Sequence, residues 1–175
     1  VYKRQAAAHA DAVHGAEICR DLQDRLVMIA RVSDAGAFVN TNALTLKRSH
    51  GDYSVMQLLY DGSEIKAVLD FVNAGEVPIA WELIRSYSYM DCTFNAARLA
   101  AYTNEYRRYA EVSMDDLRYM PYLYLGQLLS STYGYKQYLQ TGDEELLAFG
   151  RWRTEMCRYL IANAGEVSAE LVRLA

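Results

Sequence analysis

The sequence predicts an α+β, mostly α fold: a small β-hairpin set into a chain of helices. Apolar residues recur at helical spacing before residue 33 and again almost throughout after Pro78. Between these stretches the period changes, and Leu44 and Leu46 alternate with Thr45 and Lys47 as in a short half-buried strand. Two short apolar runs then flank Asp61-Gly62-Ser63, and an Asp-Gly turn between apolar runs is a strong hairpin signal.

Taken in order, residues 6–32 read as helix, clearest where Ile18, Leu22, Leu26 and Ile29 fall at spacings of four, four and three, with Gly15 interrupting the earlier part. Residues 33–42 contain Gly36 and two Asn and predict a connection. The hairpin arms are Met56 to Tyr60 and Ile65 to Leu69. Pro78 stands just ahead of a helix over Trp81 to Tyr89, where a missing N–H is tolerated. A second helix is expected over Ala96 to Glu111. Ser113 with Asp116 three residues later resembles a capping box and opens a third, carried by Leu117, Met120, Tyr124 and Leu128, with Pro121 near its first turn. A break at Thr141-Gly142 precedes a helix of about twenty residues with Asp143 as N-cap and Leu146, Phe149, Trp152, Met156 and Leu160 as its stripe. Ser168 is expected to cap a last short helix to Leu174. No repeat, linker or low-complexity run divides the chain, which reads as one domain.

Composition bounds the function. The formal charge is −4 and the pI about 5.4, which argues against nucleic acid or an acidic membrane surface as partner, since both call for a basic face. No run approaches the roughly 18 apolar residues of a membrane span, and no signal peptide is evident. Cys19, Cys92 and Cys157 are widely spaced and form no CxxC or Cys/His cluster, so they predict buried, reduced thiols in a cytoplasmic protein rather than disulfides or zinc. Val1-Tyr2-Lys3-Arg4-Gln5 lacks an initiator Met and reads as the translation of a transposase adapter (GTG TAT AAG AGA CAG). Residues 1–5 are expected to be an artefact, a natural proteolytic boundary being the other reading; either way the chain is expected to begin inside a longer protein.

Two aspartates stand out by position. Asp52 precedes the hairpin and Asp70 ends its second strand. Folding at residues 61–64 returns residue 70 to the neighbourhood of residue 57, and paired strands lie about 5 Å apart, so Asp52, Gln57 and Asp70 are expected to line one cleft at the open end. Converging carboxylates repel unless a cation sits between them or one is protonated. A hard divalent ion such as Mg²⁺ accepts the carboxylate and amide oxygens on offer.

His50-Gly51-Asp52, Gln57 five residues on, and Leu69-Asp70-Phe71 together resemble the catalytic core of the aminoglycoside phosphotransferase family, which includes aminoglycoside, choline and homoserine-type kinases. The family pattern is HGD, four variable residues, Asn, then a hairpin ending in Asp. Gly75-Glu76-Val77-Pro78 and Trp81-Glu82-Leu83 extend the resemblance, which is clear from Leu46 to Ser88. It implies a protein-kinase-like fold, with residues 6–175 as its carboxyl-terminal lobe. It also implies Asp52 as the catalytic residue that accepts the proton of a substrate hydroxyl, Asp70 as a metal ligand, and ATP with Mg²⁺ as co-substrate and cofactor. Gln57 stands where the family has Asn; its amide oxygen lies one methylene further out and is expected to act as second metal ligand. The resemblance makes His50 a brace for the loop, packed against Phe71, rather than a base.

Each residue has a competing reading. Asp52 can be a turn aspartate, Asp70 a cap for the following loop, and Gln57 a solvated polar side chain. His9 and His14 are expected at the surface. The tyrosines at 119, 122, 124, 133, 135 and 138 are expected in core or interface rather than on substrate, and Asp115, Asp116, Asp143, Glu144 and Glu145 in helix caps and first turns.

The function expected is transfer of a phosphoryl group from ATP to a hydroxyl of a small molecule. Nothing before Ala43 resembles the amino-terminal lobe that clamps ATP in this fold, so the 175-residue chain alone is expected to be inactive. The alternatives are a non-catalytic kinase-like protein that binds ligands or partners, and a helical interaction domain in which the match is accidental. The substrate and the oligomeric state are not specified by the sequence.

Overall fold

The computed structural model describes residues 13–34, 39–90 and 95–175. Residues 1–5, His9 and Cys92, with the expectations attached to them, lie outside these. The elements in order are α1 (Gly15–Asp34), β1 (Leu46–Ser49), β2 (Leu58–Asp61), β3 (Glu64–Val68), β4 (Gly75–Pro78), α2 (Ile79–Met90), α3 (Ala96–Arg107), α4 (Met114–Ser130), α5 (Tyr135–Thr141) and α6 (Glu144–Leu174), with single 3₁₀ turns at Thr41–Ala43, Val55–Gln57 and Phe71–Asn73. The fold is α+β and mostly helical, as the sequence predicts. Among the described residues no helix is long and apolar enough to cross a membrane.

The described residues form two compact units, one of 13–34 and 125–164, the other of 39–90, 95–124 and 165–175. In the first unit, Ile18, Leu22, Tyr135, Tyr138 and Leu147 make the apolar centre, with Leu26, Ile29, Leu139 and Leu146 packed against it. Arg25, on the same face of α1, is 0% exposed. Its guanidinium donates to Thr154 Oγ1 at 3.0 and 2.6 Å, to the Ser131 carbonyl at 2.8 Å and to the Gly150 carbonyl at 3.1 Å. A helix leaves its last carbonyls without partners, and a cation there answers both their hydrogen bonding and the dipole. The ring of Tyr135 lies under this guanidinium, 5.5 Å away. That approach requires Gly150: a Cβ there would sit 2.4 Å from the Tyr135 ring.

In the second unit, β1 pairs antiparallel with β4 (Leu46↔Pro78 to Ser49↔Gly75), and β2 with β3 (Leu58↔Val68 to Asp61↔Glu64, with a register shift at Leu59/Tyr60). The β2–β3 ladder is the hairpin expected around Asp61-Gly62, with Gly62 at φ 61°. It is nested within the β1–β4 ladder. Residues 50–57 on the outward path and 69–74 on the return therefore lie between the two ladders. The helices behind them bury Ile79, Leu83, Ile84, Leu99, Leu117 and Met120. The expected capping box forms: Ser113 Oγ accepts from the Asp116 N–H at 3.0 Å, and Asp116 Oδ2 accepts from the Ser113 N–H at 2.8 Å. Asp116 Oδ1 also accepts from the Thr45 N–H at 2.9 Å, tying α4 to the start of β1.

Several boundaries differ from expectation. Pro121 lies well inside α4 rather than in its first turn. The helix expected to reach Glu111 ends at Arg107, and α5 is a separate element between Ser130 and Thr141. Asp143 does accept from the Glu145 N–H at 2.9 Å at the start of α6. Ser168 caps nothing: α6 runs unbroken through it to Leu174, and its buried hydroxyl donates to the Arg118 carbonyl at 2.9 Å. Cys157 is buried as expected, whereas Cys19 is only partly so. Tyr124, Tyr135 and Tyr138 are core residues; Tyr133 is exposed.

Candidate active site

The nested ladders place the three candidate residues. Asp52 follows β1 in a loop that opens with Gly51 at φ +77°. A Cβ at Gly51 would stand 2.1 Å from the Asn73 carbonyl oxygen, so the outward and return segments touch there and only glycine fits. Gln57 ends the 3₁₀ turn before β2, and its carbonyl accepts from the Leu69 N–H at 2.8 Å, which sets Asp70 one residue beyond that pair. The return of residue 70 towards residue 57 is thus present in the backbone.

His50 joins the same two segments from the other side. It is 7% exposed, its Nε2 meets the Leu69 carbonyl at 2.6 Å, and its ring lies 4.6 Å from that of Phe71. With a carbonyl as partner, Nε2 carries the proton and donates. Asp70 is therefore flanked on both sides by residues that His50 holds.

Asp70 is a non-glycine residue in the left-handed region (φ 61°, ψ 60°), a conformation that carries a local energetic cost and is found where a side chain must be aimed. It makes no side-chain cap bond to the 3₁₀ turn it precedes, so the competing reading as a cap is not met. Its carboxylate is exposed. The backbone bond between residues 57 and 69 brings the two candidate ligands onto adjoining segments, and an Asp carboxylate with a Gln amide oxygen is the kind of hard, sparse donor set that Mg²⁺ takes when phosphate oxygens and water complete its octahedron. Among the described residues no group of three or more His, Cys, Asp or Glu forms a closed metal cage.

Asp52 has a cation beside it within the protein. Its Oδ1 forms an ion pair with Nη2 of Arg85, the side chains being 24% and 14% exposed. One turn earlier on α2, Glu82 accepts from the Gly51 N–H at 3.1 Å and from the Tyr53 N–H at 3.2 Å. Burial pushes the Glu82 carboxyl above its usual range, opposed by these two N–H groups and by His50. Burial likewise pushes the Tyr53 hydroxyl up, with Tyr102, Tyr60 and Glu82 adding to it. Sequence reasoning gave neither Glu82 nor Arg85 a role. The available signal was an opposite-charge pair at i, i+3 on a helix that otherwise reads Ile79-Ala80-Trp81 and Leu83-Ile84.

The arrangement offers one carboxylate paired with an arginine, and a second, exposed carboxylate on the adjoining return segment. A family model described as the phosphotransferase enzyme family matches residues 3–112, more than half of the chain. No curated protein and no solved structure matches it.

Proposed function

Because the chain belongs to the phosphotransferase enzyme family, we propose that the protein carrying it transfers the γ-phosphoryl group of ATP to a hydroxyl of a small molecule. The observation that carries the reading is the nesting of the two ladders, which sets the Asp52 loop against the segment bearing Asp70. Asp52 orients the acceptor hydroxyl and takes its proton as the new O–P bond forms and the bond from phosphorus to the ADP oxygen breaks. Asp70 and the Gln57 amide would hold Mg²⁺, which would neutralise charge on the phosphates. The protein's share is placement: His50 and Glu82 fix the loops on either side, and rate follows from that alignment.

Metal binding can be measured on this chain without turnover. Mn²⁺, which shares the preference for oxygen ligands, is titrated while backbone amide signals are followed by NMR. Residues 57 and 69–71 are expected to broaden first, and Asp70→Asn to abolish the effect. Broadening centred elsewhere, or unchanged in Asp70→Asn, would overturn the assignment of the ligands.

A further inference from the structure

Resting on the phosphotransferase reading, we infer that Arg85 is a positioning residue for Asp52, fixing which carboxylate oxygen faces the acceptor hydroxyl. The sequence resemblance gives Arg85 no part; the geometry does. The guanidinium pairs with Asp52 Oδ1 through Nη2, and its Nη1 donates to the Tyr53 carbonyl at 3.4 Å. It is stacked over the Tyr89 ring at 5.1 Å, one turn along the same helix. A residue with its side chain 14% exposed and gripped at three points holds its partner in one orientation. Engaging Oδ1 leaves Oδ2 of Asp52 for the acceptor.

Arg85 does not act alone on the loop. Glu82, three residues earlier, takes the N–H groups of Gly51 and Tyr53, so one turn of α2 binds residues 51, 52 and 53 in succession. The two side chains divide the work by charge. Glu82 holds the backbone on either side of Asp52, and Arg85 holds the Asp52 carboxylate itself. Backbone placement alone leaves χ1 and χ2 of an aspartate free, and a misplacement of about 1 Å at the reacting group is enough to lower a rate about 100-fold. Lysine would supply the charge but not the planar fork that reaches both Oδ1 and the Tyr53 carbonyl.

The test uses the full-length protein with ATP, Mg²⁺ and an acceptor alcohol that it phosphorylates. Arg85→Met, which keeps the length of the stem, is expected to lower kcat about 100-fold while KM for ATP stays within about 2-fold. Arg85→Lys is expected to recover about 10-fold of that loss. In an Asp52→Asn background, Arg85→Met should change kcat no further, because its effect runs through that carboxylate. In this chain by itself, the Asp52 carboxyl ¹³C signal should move on Arg85→Met while the Glu82 carboxyl signal stays in place. An unchanged kcat in Arg85→Met, or the same loss in the Asp52→Asn background, overturns the role. A wild-type protein that transfers no phosphoryl group overturns the phosphotransferase reading instead, and that measurement comes first.

Discussion

Replacing Glu82 with alanine removes the acceptor of two N–H groups at the centre of the candidate site, those of Gly51 at 3.1 Å and Tyr53 at 3.2 Å. Bonds to a charged acceptor contribute about 1.5–3 kcal/mol each, so their gross loss is about 3–6 kcal/mol. Against this stands relief of a buried carboxylate whose desolvation outweighs its hydrogen bonds, as its raised proton affinity shows. The net cost expected for Glu82→Ala is about 2–4 kcal/mol, read as a lower urea midpoint at pH 7 with an unchanged slope. Glu82→Gln keeps one oxygen acceptor and should cost about 1 kcal/mol. The dependence on pH has a definite sign. A carboxyl raised in the folded state adds stability that is fully present below its unfolded value and lost as pH rises through the folded one. The gap between wild type and Glu82→Gln should therefore narrow from acid towards neutral pH. Equal losses for Ala and Gln, or a gap that widens with pH, would mean that Glu82 does not hold these two N–H groups as a buried carboxylate.

Three further outcomes follow from the same structure. Gly51→Ala places a Cβ against the Asn73 carbonyl at a positive φ and should cost at least about 2 kcal/mol in denaturant unfolding; a cost below about 0.5 kcal/mol would mean the two segments do not touch. Arg25→Met removes the guanidinium's hydrogen bonds to the Ser131 and Gly150 carbonyls and the Thr154 hydroxyl and should cost about 2–4 kcal/mol; an unchanged melting temperature would contradict the buried network. The Arg151 hydrogen bond holds the Glu17 carboxyl below its usual range. Its contribution, under about 1 kcal/mol at so exposed a pair, should be present near neutral pH and lost as pH falls through the folded value. Wild type and Glu17→Gln should thus converge in acid and separate above it.

The hairpin and the capping box were legible because their signals are local: Asp61-Gly62 specifies its own turn, and Ser113 with Asp116 closes its own bonds. The β1–β4 ladder was not, since its pairing joins residues some thirty apart in sequence, and Gly75 and Pro78 carry little strand propensity. The continuity of α6 was hidden for another reason. Ser168 looks like a cap in sequence, yet its hydroxyl finds an acceptor in Arg118 without breaking the helix. Charged residues turned inward were not legible either. Arg25, Glu82 and Arg85 are polar by any hydropathy count, and only their partners, brought in by the fold, explain why the inward faces of α1 and α2 bear them. The candidate residues themselves, Asp52, Gln57 and Asp70, were proposed from their order around the hairpin and from the family resemblance. The pairing of Asp52 with Arg85 was not, because nothing in residue spacing brings residue 85 to residue 52.

The central claim is that Asp52 and Asp70 serve one phosphoryl transfer in different capacities. Its most direct test is transfer from γ-labelled ATP to a panel of small alcohols, run with the full-length wild-type protein, Asp52→Asn and Asp70→Asn, each with rising Mg²⁺. Transfer by wild type is expected, with a fall of at least about 100-fold in both variants. Added Mg²⁺ should restore part of the activity of Asp70→Asn and none of that of Asp52→Asn. Undiminished transfer in either variant would contradict the claim.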